Sequence, residues 1–281
     1  MLVKYGGIKM TYVESLKKFD DLLDLKRQIV GIYFFENETE YNQFVAPVCQ
    51  KLLPYCVTVR NASEGQGTKM TVENFACPAS AVALGLIQED DYSQSGEKHA
   101  NMKVYKNLCV SRSVAEDMVY CQKRIFGVGV VPAKDWDGNP DMVIIVTNPA
   151  NAMRILQGHA YHSGQLKEIK MAGMQAICQE CTSYPYEKDQ INISMMCSGT
   201  RHVGRWGEDE MGLGIPYSQF AKVADGIEQT LNPMENSQNK KKILDKLKIE
   251  NRENDYKVNR KENYYRGAYQ GIKNRNNSSG A

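Results

Sequence analysis

Eight cysteines occupy positions 49, 56, 77, 109, 121, 178, 181 and 197, and six of them fall between residues 77 and 197. Cys77 sits in ENFACPASAVALGL, Cys178 and Cys181 form CQEC, and Cys197 opens CSGTRHVGRW. Thiols beside Pro and Gly, at the ends of elements rather than in apolar helix stripes, are how chains present thiolates to a metal, a cluster or a redox partner. Iron–sulfur clusters take four thiolates and tolerate scattered ones, so Cys56, Cys77, Cys178 and Cys197 form a sufficient ligand set. Zinc fits less well. It favours two closely spaced pairs, and Cys178-x-x-Cys181 is one clean pair, with His202 five residues after Cys197 and no close neighbour for Cys77.

Thiol chemistry without metal is a second reading. Glu180 inside CQEC would raise a thiol pKa by like charge, which weakens a redox pair. Cys77 before Pro78 is the better nucleophile, because Pro at the first helical position leaves the thiol near the N-terminal dipole. Its base would have to be His159, His162 or His202; His99 sits in a polar loop and reads as solvated. Buried free cysteines acting as small hydrophobes remain the plain alternative. A third reading is binding. Arg60, Glu64, Asn148 and Arg201, with Gly-rich turns around them, could hold an anionic ligand through bidentate contacts and backbone donors. A satisfied salt-bridge network explains the dense GTRHVGRWGEDE equally well. The thirteen methionines read as core filler rather than copper ligands.

These residues need elements to position them. TYVESLKKFDDLLDLKRQ places Val13, Leu16, Leu22, Leu23 and Leu25 at helical spacing. GIYFFENE, GVGVVPAKD and DMVIIV read as strands, the last buried on both faces. Residues 41–60 read as a helix broken at Pro47 or Pro54, NASEGQGTK as a loop, and PASAVALGL and residues 104–124 as helices. Asn148 caps a helix that starts at Pro149. ISMMCSGTR reads as a strand, and a last helix opens near Pro216 with Phe220, Val223, Ile227 and Leu231 inward. No sequence repeat is evident, although two halves that each place a helix after an apolar strand leave a duplication open.

Composition bounds the rest. Hydrophobic residues make up 42% and charged residues 24%, as in ordinary globular proteins. No apolar run reaches the roughly 18–20 residues of a membrane span, and no signal peptide is visible, so a cytoplasmic location with reduced, metal-bound or redox-active cysteines is expected. From Asn232 onward there are 12 Lys and Arg against 6 Asp and Glu, a net of +6, which leaves the preceding residues at −4 within a total of +2. That basic segment reads as a largely disordered tail, with at most one exposed helix carrying Ile243, Leu244, Leu247 and Ile249.

The set RNASEGQGTKMTVENFACPASAVALGL, IIVTNPANAMRILQGHAYHSG and CSGTRHVGRWGEDEMGLGIPYSQF, in that order, resembles the uncharacterised ArCR family, the domain of unknown function 169. The resemblance runs from about residue 29 to 231. It implies one domain and no assigned reaction. Family-like positions are Cys56, Arg60, Glu64, Gly65, Cys77, Pro78, Asn148, Pro149, Cys178, Cys197, Gly199, Arg201, Glu210 and Pro216, whereas Cys49, Cys109, Cys121 and Cys181 lie outside the pattern.

The expectation is therefore an α/β (or α+β) chain with a mixed sheet flanked by helices over residues 1–231, then a basic tail over 232–281. Its leading function is an iron–sulfur or thiol-based redox accessory protein with a protein redox partner. The alternative is a metal-free binding protein for an anionic small molecule. Whether it is an enzyme stays open, and neither nucleic acid nor membrane is expected as a partner.

Overall fold

The computed structural model describes residues 10–136 and 138–260. Two compact units divide the chain: Lys26–Ala152 with Lys167–Phe220, and Met1–Leu25 with Met153–Leu166 and Ala221–Ala281. The first carries a six-stranded sheet of β1 (Val30–Phe35), β2 (Thr68–Thr71), β3 (Gly127–Pro132), β4 (Met142–Thr147), β5 (Asn192–Ser194) and β6 (Met211–Pro216). The order is β2-β3-β1-β4-β6-β5, and each neighbouring pair is antiparallel. This corrects the expected mixed sheet and sets the class as α+β. Parallel pairing is confined to two isolated bridges, Val48↔Lys69 and Leu53↔Phe75. The sequence signal misled because β3, β4 and β6 are buried along their whole length. Continuous apolar runs are the usual mark of parallel strands.

One face of the sheet presents Val30, Ile32, Val128, Val130, Met142, Ile144 and Val146 to a core completed by Tyr55, Val59, Ile177, Cys178 and Cys181. The opposite face packs Tyr33, Phe35 and Val131 against Tyr41, with Phe44 and Trp136 stacked at 5.7 Å. The stretch expected as one broken helix is two: Glu38–Gln43, capped by Asn37, and Tyr55–Ser63, which starts after Pro54. The prolines and the bridges at Val48 and Leu53 hold the chain between them extended, where a proline-containing helix would lose backbone bonds. Residues 104–124 shrink to a helix over Leu108–Asp117, capped by Asn107.

CQEC lies in a π-helical turn, Ala176–Ser183. The Glu180 amide donates five residues back to the Gln175 carbonyl, and Thr182 Oγ1 donates to the Ile177 carbonyl at 2.6 Å. The turn packs against β6, whose glycines make room for it. A Cβ on Gly214 would sit 2.1 Å from the Cys181 carbonyl, and one on Gly212 2.7 Å from the Cys181 sulfur.

In the second unit the helix Tyr12–Leu22 opens with a capping box between Thr11 and Glu14. It buries Tyr12, Leu16, Phe19 and Leu22, while Val13, expected inward, is exposed. The segment expected to be a disordered tail is folded as far as it is described. Ser237–Ile249 is a helix that buries Lys240, Ile243, Leu244 and Leu247. Beyond it Arg252 pairs with the buried Asp21, which also accepts from the Tyr256 hydroxyl at 2.7 Å. Of the four apolar residues on that helix, which was expected to be exposed, Ile249 alone is exposed, at 84%. The Tyr- and Arg-rich stretch after residue 260 lies outside the described residues. Among the described residues no helix is long and apolar enough to cross a membrane.

Candidate functional site

Cys56, Cys77, Cys178 and Cys197 line one cavity of about 310 Å³. Each arrives on a different element. Cys56 lies in the first turn of Tyr55–Ser63, and Cys77 is the N-cap of Pro78–Ala83, with Pro78 at the first position as expected. Cys178 comes from the π-helical turn, and Cys197 caps a helix over Ser198–Gly204. That last helix replaces most of the strand expected for ISMMCSGTR; β5 stops at Ser194.

The thiols sense one another. Burial, then the charges Cys197 and Cys77 would carry, pushes the Cys56 thiol up to about 11. Burial raises Cys178 well above its ordinary value, with Cys77, Cys197 and Cys56 adding in that order. Cys197 Sγ accepts the Thr200 amide at 3.3 Å and lies 3.0 Å from the Thr200 hydroxyl. Among the described residues no three His, Cys, Asp or Glu side chains lie close enough to hold a single metal ion.

Cys181, three residues from Cys178, is fully buried, and its sulfur faces the space at Gly212. Of the two cysteines of CQEC, only Cys178 lines the cavity. Of the remaining thiols, Cys49 and Cys121 are buried and Cys109 is exposed.

Glu180 braces the turn. It is 1% exposed, its carboxylate accepts from the Ala172 and Gly173 amides at 2.7 and 3.0 Å and from the Ser194 hydroxyl, and burial nonetheless raises its pKa. These bonds fix the loop that carries Met174 and Gln175 into the cavity wall.

Other lining residues escaped the sequence reading. Ser80 and Thr200 follow Cys77 and Cys197 by three positions, a shared Cys-x-x-hydroxyl spacing that could have been noticed. His99, expected in solvent, lines the cavity, and burial lowers its pKa. The histidines offered as bases are elsewhere: His162 contacts Asp225 at 2.7 Å, His202 is exposed, and His159 is absent from the cavity lining.

The residues proposed for an anionic ligand lie apart from the thiols. Arg60 Nε donates to Glu64 at 2.9 Å and Nη1 to the Gly204 carbonyl at 2.9 Å. Arg201 donates to the carbonyls of Gly207, Met195 and Glu210. Arg27 bridges Glu64 and Glu210 and stacks 4.8 Å above the Trp206 ring. Asn148 caps its helix by accepting from the Asn151 amide at 2.9 Å. This is the satisfied network weighed against ligand contact, with Arg27 and Trp206 as members the sequence did not single out.

Fold and cavity thus define an α+β protein with four convergent thiols on one face of an antiparallel sheet. The chain belongs to the uncharacterised ArCR family, the domain of unknown function 169, whose model matches residues 18–226. It is similar to the uncharacterised protein MJ0308 of Methanocaldococcus jannaschii, with 19% identity over 217 residues that cover 76% of this chain and 93% of the relative. No solved structure matches it.

Proposed function

We propose that the chain is a redox accessory protein that seats an iron–sulfur cluster on Cys56, Cys77, Cys178 and Cys197. One observation supports this most: four thiols from four elements, separated by up to 141 residues of sequence, line a single cavity. A single zinc ion needs every sulfur within about 2.3 Å of one centre, which the spacing of the described side chains does not offer. A bridged cluster divides four thiolates among several irons and sets them further apart. Such a cluster would supply one-electron transfer. The protein would contribute the four sulfurs, the Thr200 amide and hydroxyl to steady charge on Cys197, and an apolar wall from Ile177, Met174 and Val203 to limit water.

The thiol protons must leave on binding. Burial pushes the Cys56 and Cys178 thiols up, so metal uptake should strengthen as pH rises through neutrality. The alternative of an anionic small molecule has less support, because no Lys or Arg lines the cavity among the described residues and the arginines proposed for it donate to internal partners.

The test is purification without oxygen, followed by the visible spectrum and the iron and sulfide content. A brown protein with stoichiometric iron and sulfide that loses both in Cys77→Ser and Cys197→Ser supports the reading. A folded, colourless protein that stays metal-free after reconstitution with ferrous iron and sulfide overturns it.

A further inference from the structure

The sheet has a two-fold symmetry that the sequence conceals. β1, β2 and β3 lie in the order β2-β3-β1, and β4, β5 and β6 in the order β5-β6-β4, so the six strands read alike from either edge. The residue registers obey the same exchange. β1 pairs with β3 from Val30↔Pro132 to Phe35↔Gly127, and β4 pairs with β6 from Met142↔Pro216 to Thr147↔Met211. Val30 therefore answers to Met142, and Pro132 to Pro216. Under that equivalence Val130 answers to Gly214, and the edge pair Thr68↔Val130 has its counterpart in Asn192↔Gly214. The central pairing is its own image. Val30↔Ile144 exchanges with Ile32↔Met142, while Gly31↔Val143 maps onto itself. After the first strand of each half an Asn caps a helix: Asn37 accepts from the Glu40 amide and Asn148 from the Asn151 amide.

The cysteines follow the same rule. In each half one thiol rides the helical segment before the edge strand, Cys56 before β2 and Cys178 before β5. The other caps the helix after it, Cys77 in Cys-Pro-Ala-Ser and Cys197 in Cys-Ser-Gly-Thr. Contacts around the cavity exchange as well. The helix Tyr55–Ser63 packs on Ser198–Gly204, and the π turn packs on Pro78–Ala83. The electrostatics agree, since Cys56 senses Cys197 before Cys77, and Cys178 senses Cys77 before Cys197.

We infer that residues 30–216 are an internal duplication and that the cavity is a two-fold site, in which the cross-half couples Cys56–Cys197 and Cys77–Cys178 grip opposite sides of one sulfide-bridged polynuclear iron group. The two-fold rests on the strand registers alone; the ligand rests on the cluster reading above. In such a site each helix thiol is equivalent to its counterpart in the other half, and so is each cap thiol.

Two measurements on the full chain test this separately. In the first, metal-free protein is treated with dibromobimane, a short bifunctional thiol reagent, and linked peptides are identified by mass spectrometry. Links joining Cys56 to Cys197 and Cys77 to Cys178 in comparable yield are expected. Dominant links within a half (Cys56 to Cys77, Cys178 to Cys197), or only one of the two cross-half couples, overturn the two-fold site. In the second, single Cys→Ser variants at the four positions are reconstituted with ferrous iron and sulfide. Equal loss of iron is expected for Cys56→Ser and Cys178→Ser, and likewise for Cys77→Ser and Cys197→Ser; losses confined to one half overturn the proposal. Cross-links of the expected pattern in a wild-type protein that retains no iron overturn the ligand, and the cluster reading with it, while the two-fold cavity stands.

Discussion

The cysteine cavity and the arginine network grow from the same stretches of chain, yet they are opposite in character. Cys56 and Arg60 are four residues apart, as are Cys197 and Arg201. Arg60 and Arg201 spend their donors on Glu64, Gly204, Gly207, Met195 and Glu210. Cys56 and Cys178 instead sit in apolar surroundings that make their charged forms costly. A residue that looks ready for chemistry is structural when its partners are supplied from within. It is a candidate for function when the fold gathers it with others of its kind around a cavity.

That contrast can be broken in order of expected effect. The floor of the cavity is the least tolerant part, because the π turn lies directly on β6. Gly214→Ala would drive a methyl into the Cys181 carbonyl, and overpacking there should cost on the order of 3 kcal/mol in chemical denaturation. A change well below that would mean the turn is free to move, and the placement of Cys178 would need revision. In the network, Arg201→Ala removes a charged donor from three carbonyls and should cost about 2–3 kcal/mol. Its thiol cross-linking pattern should stay as in the wild type; an altered pattern would tie the two regions together.

Acid should separate the regions further. Burial would raise Glu210, but its bonds from Arg27 and the Gly207 amide prevail and hold it below the ordinary carboxylate value; Glu64 is likewise lowered by Arg27 and Arg60 against burial. A carboxylate whose folded pKa is depressed stabilises the protein above its unfolded value, here near 4.5, and loses that contribution as pH falls through the folded value. Unfolding free energy should therefore drop as pH falls below 4.5. Arg27→Met should flatten that part of the curve, and an unchanged curve would remove the network from the acid response.

The smallest stability effects belong to the thiols. Cys77→Ser and Cys197→Ser should each change unfolding free energy by no more than about 1 kcal/mol, since neither removes a large packed group. Alkylation of Cys56 in metal-free protein should be slow at pH 7 and accelerate toward pH 11, the thiol being pushed up to about 11. Fast alkylation at neutral pH would contradict the apolar setting drawn for it.

Parts of this were legible without a structure. Apolar runs marked β1, β3 and β4, Asn148 and Pro149 marked a helix start, and Phe220, Val223, Ile227 and Leu231 marked an inward face. All are local patterns, set by side-chain periodicity and by the few residues that can cap a helix. Three of the four cysteines could also be singled out, since Cys56, Cys77 and Cys197 stand near a proline or a glycine turn, while Cys178 was marked only by CQEC. Their neighbourhood could not, because CQEC looked like a pair while Cys56 and Cys77, which share its cavity, lie more than a hundred positions upstream. His99 looked solvated because its immediate neighbours, GEKHAN, are mostly polar; the rest of the cavity lining comes from elsewhere in the unit.

The sequence by itself determined β1, β3, β4 and the helix that starts at Pro149, because those choices depend on neighbours a few residues away. Only the tertiary structure decided that the sheet is antiparallel with matching registers in its two halves, that Cys178 rather than Cys181 lines the cavity, and that Arg60 and Arg201 donate to internal partners. These are questions of which distant segments meet. Register and packing answer them through contacts that no window of sequence contains.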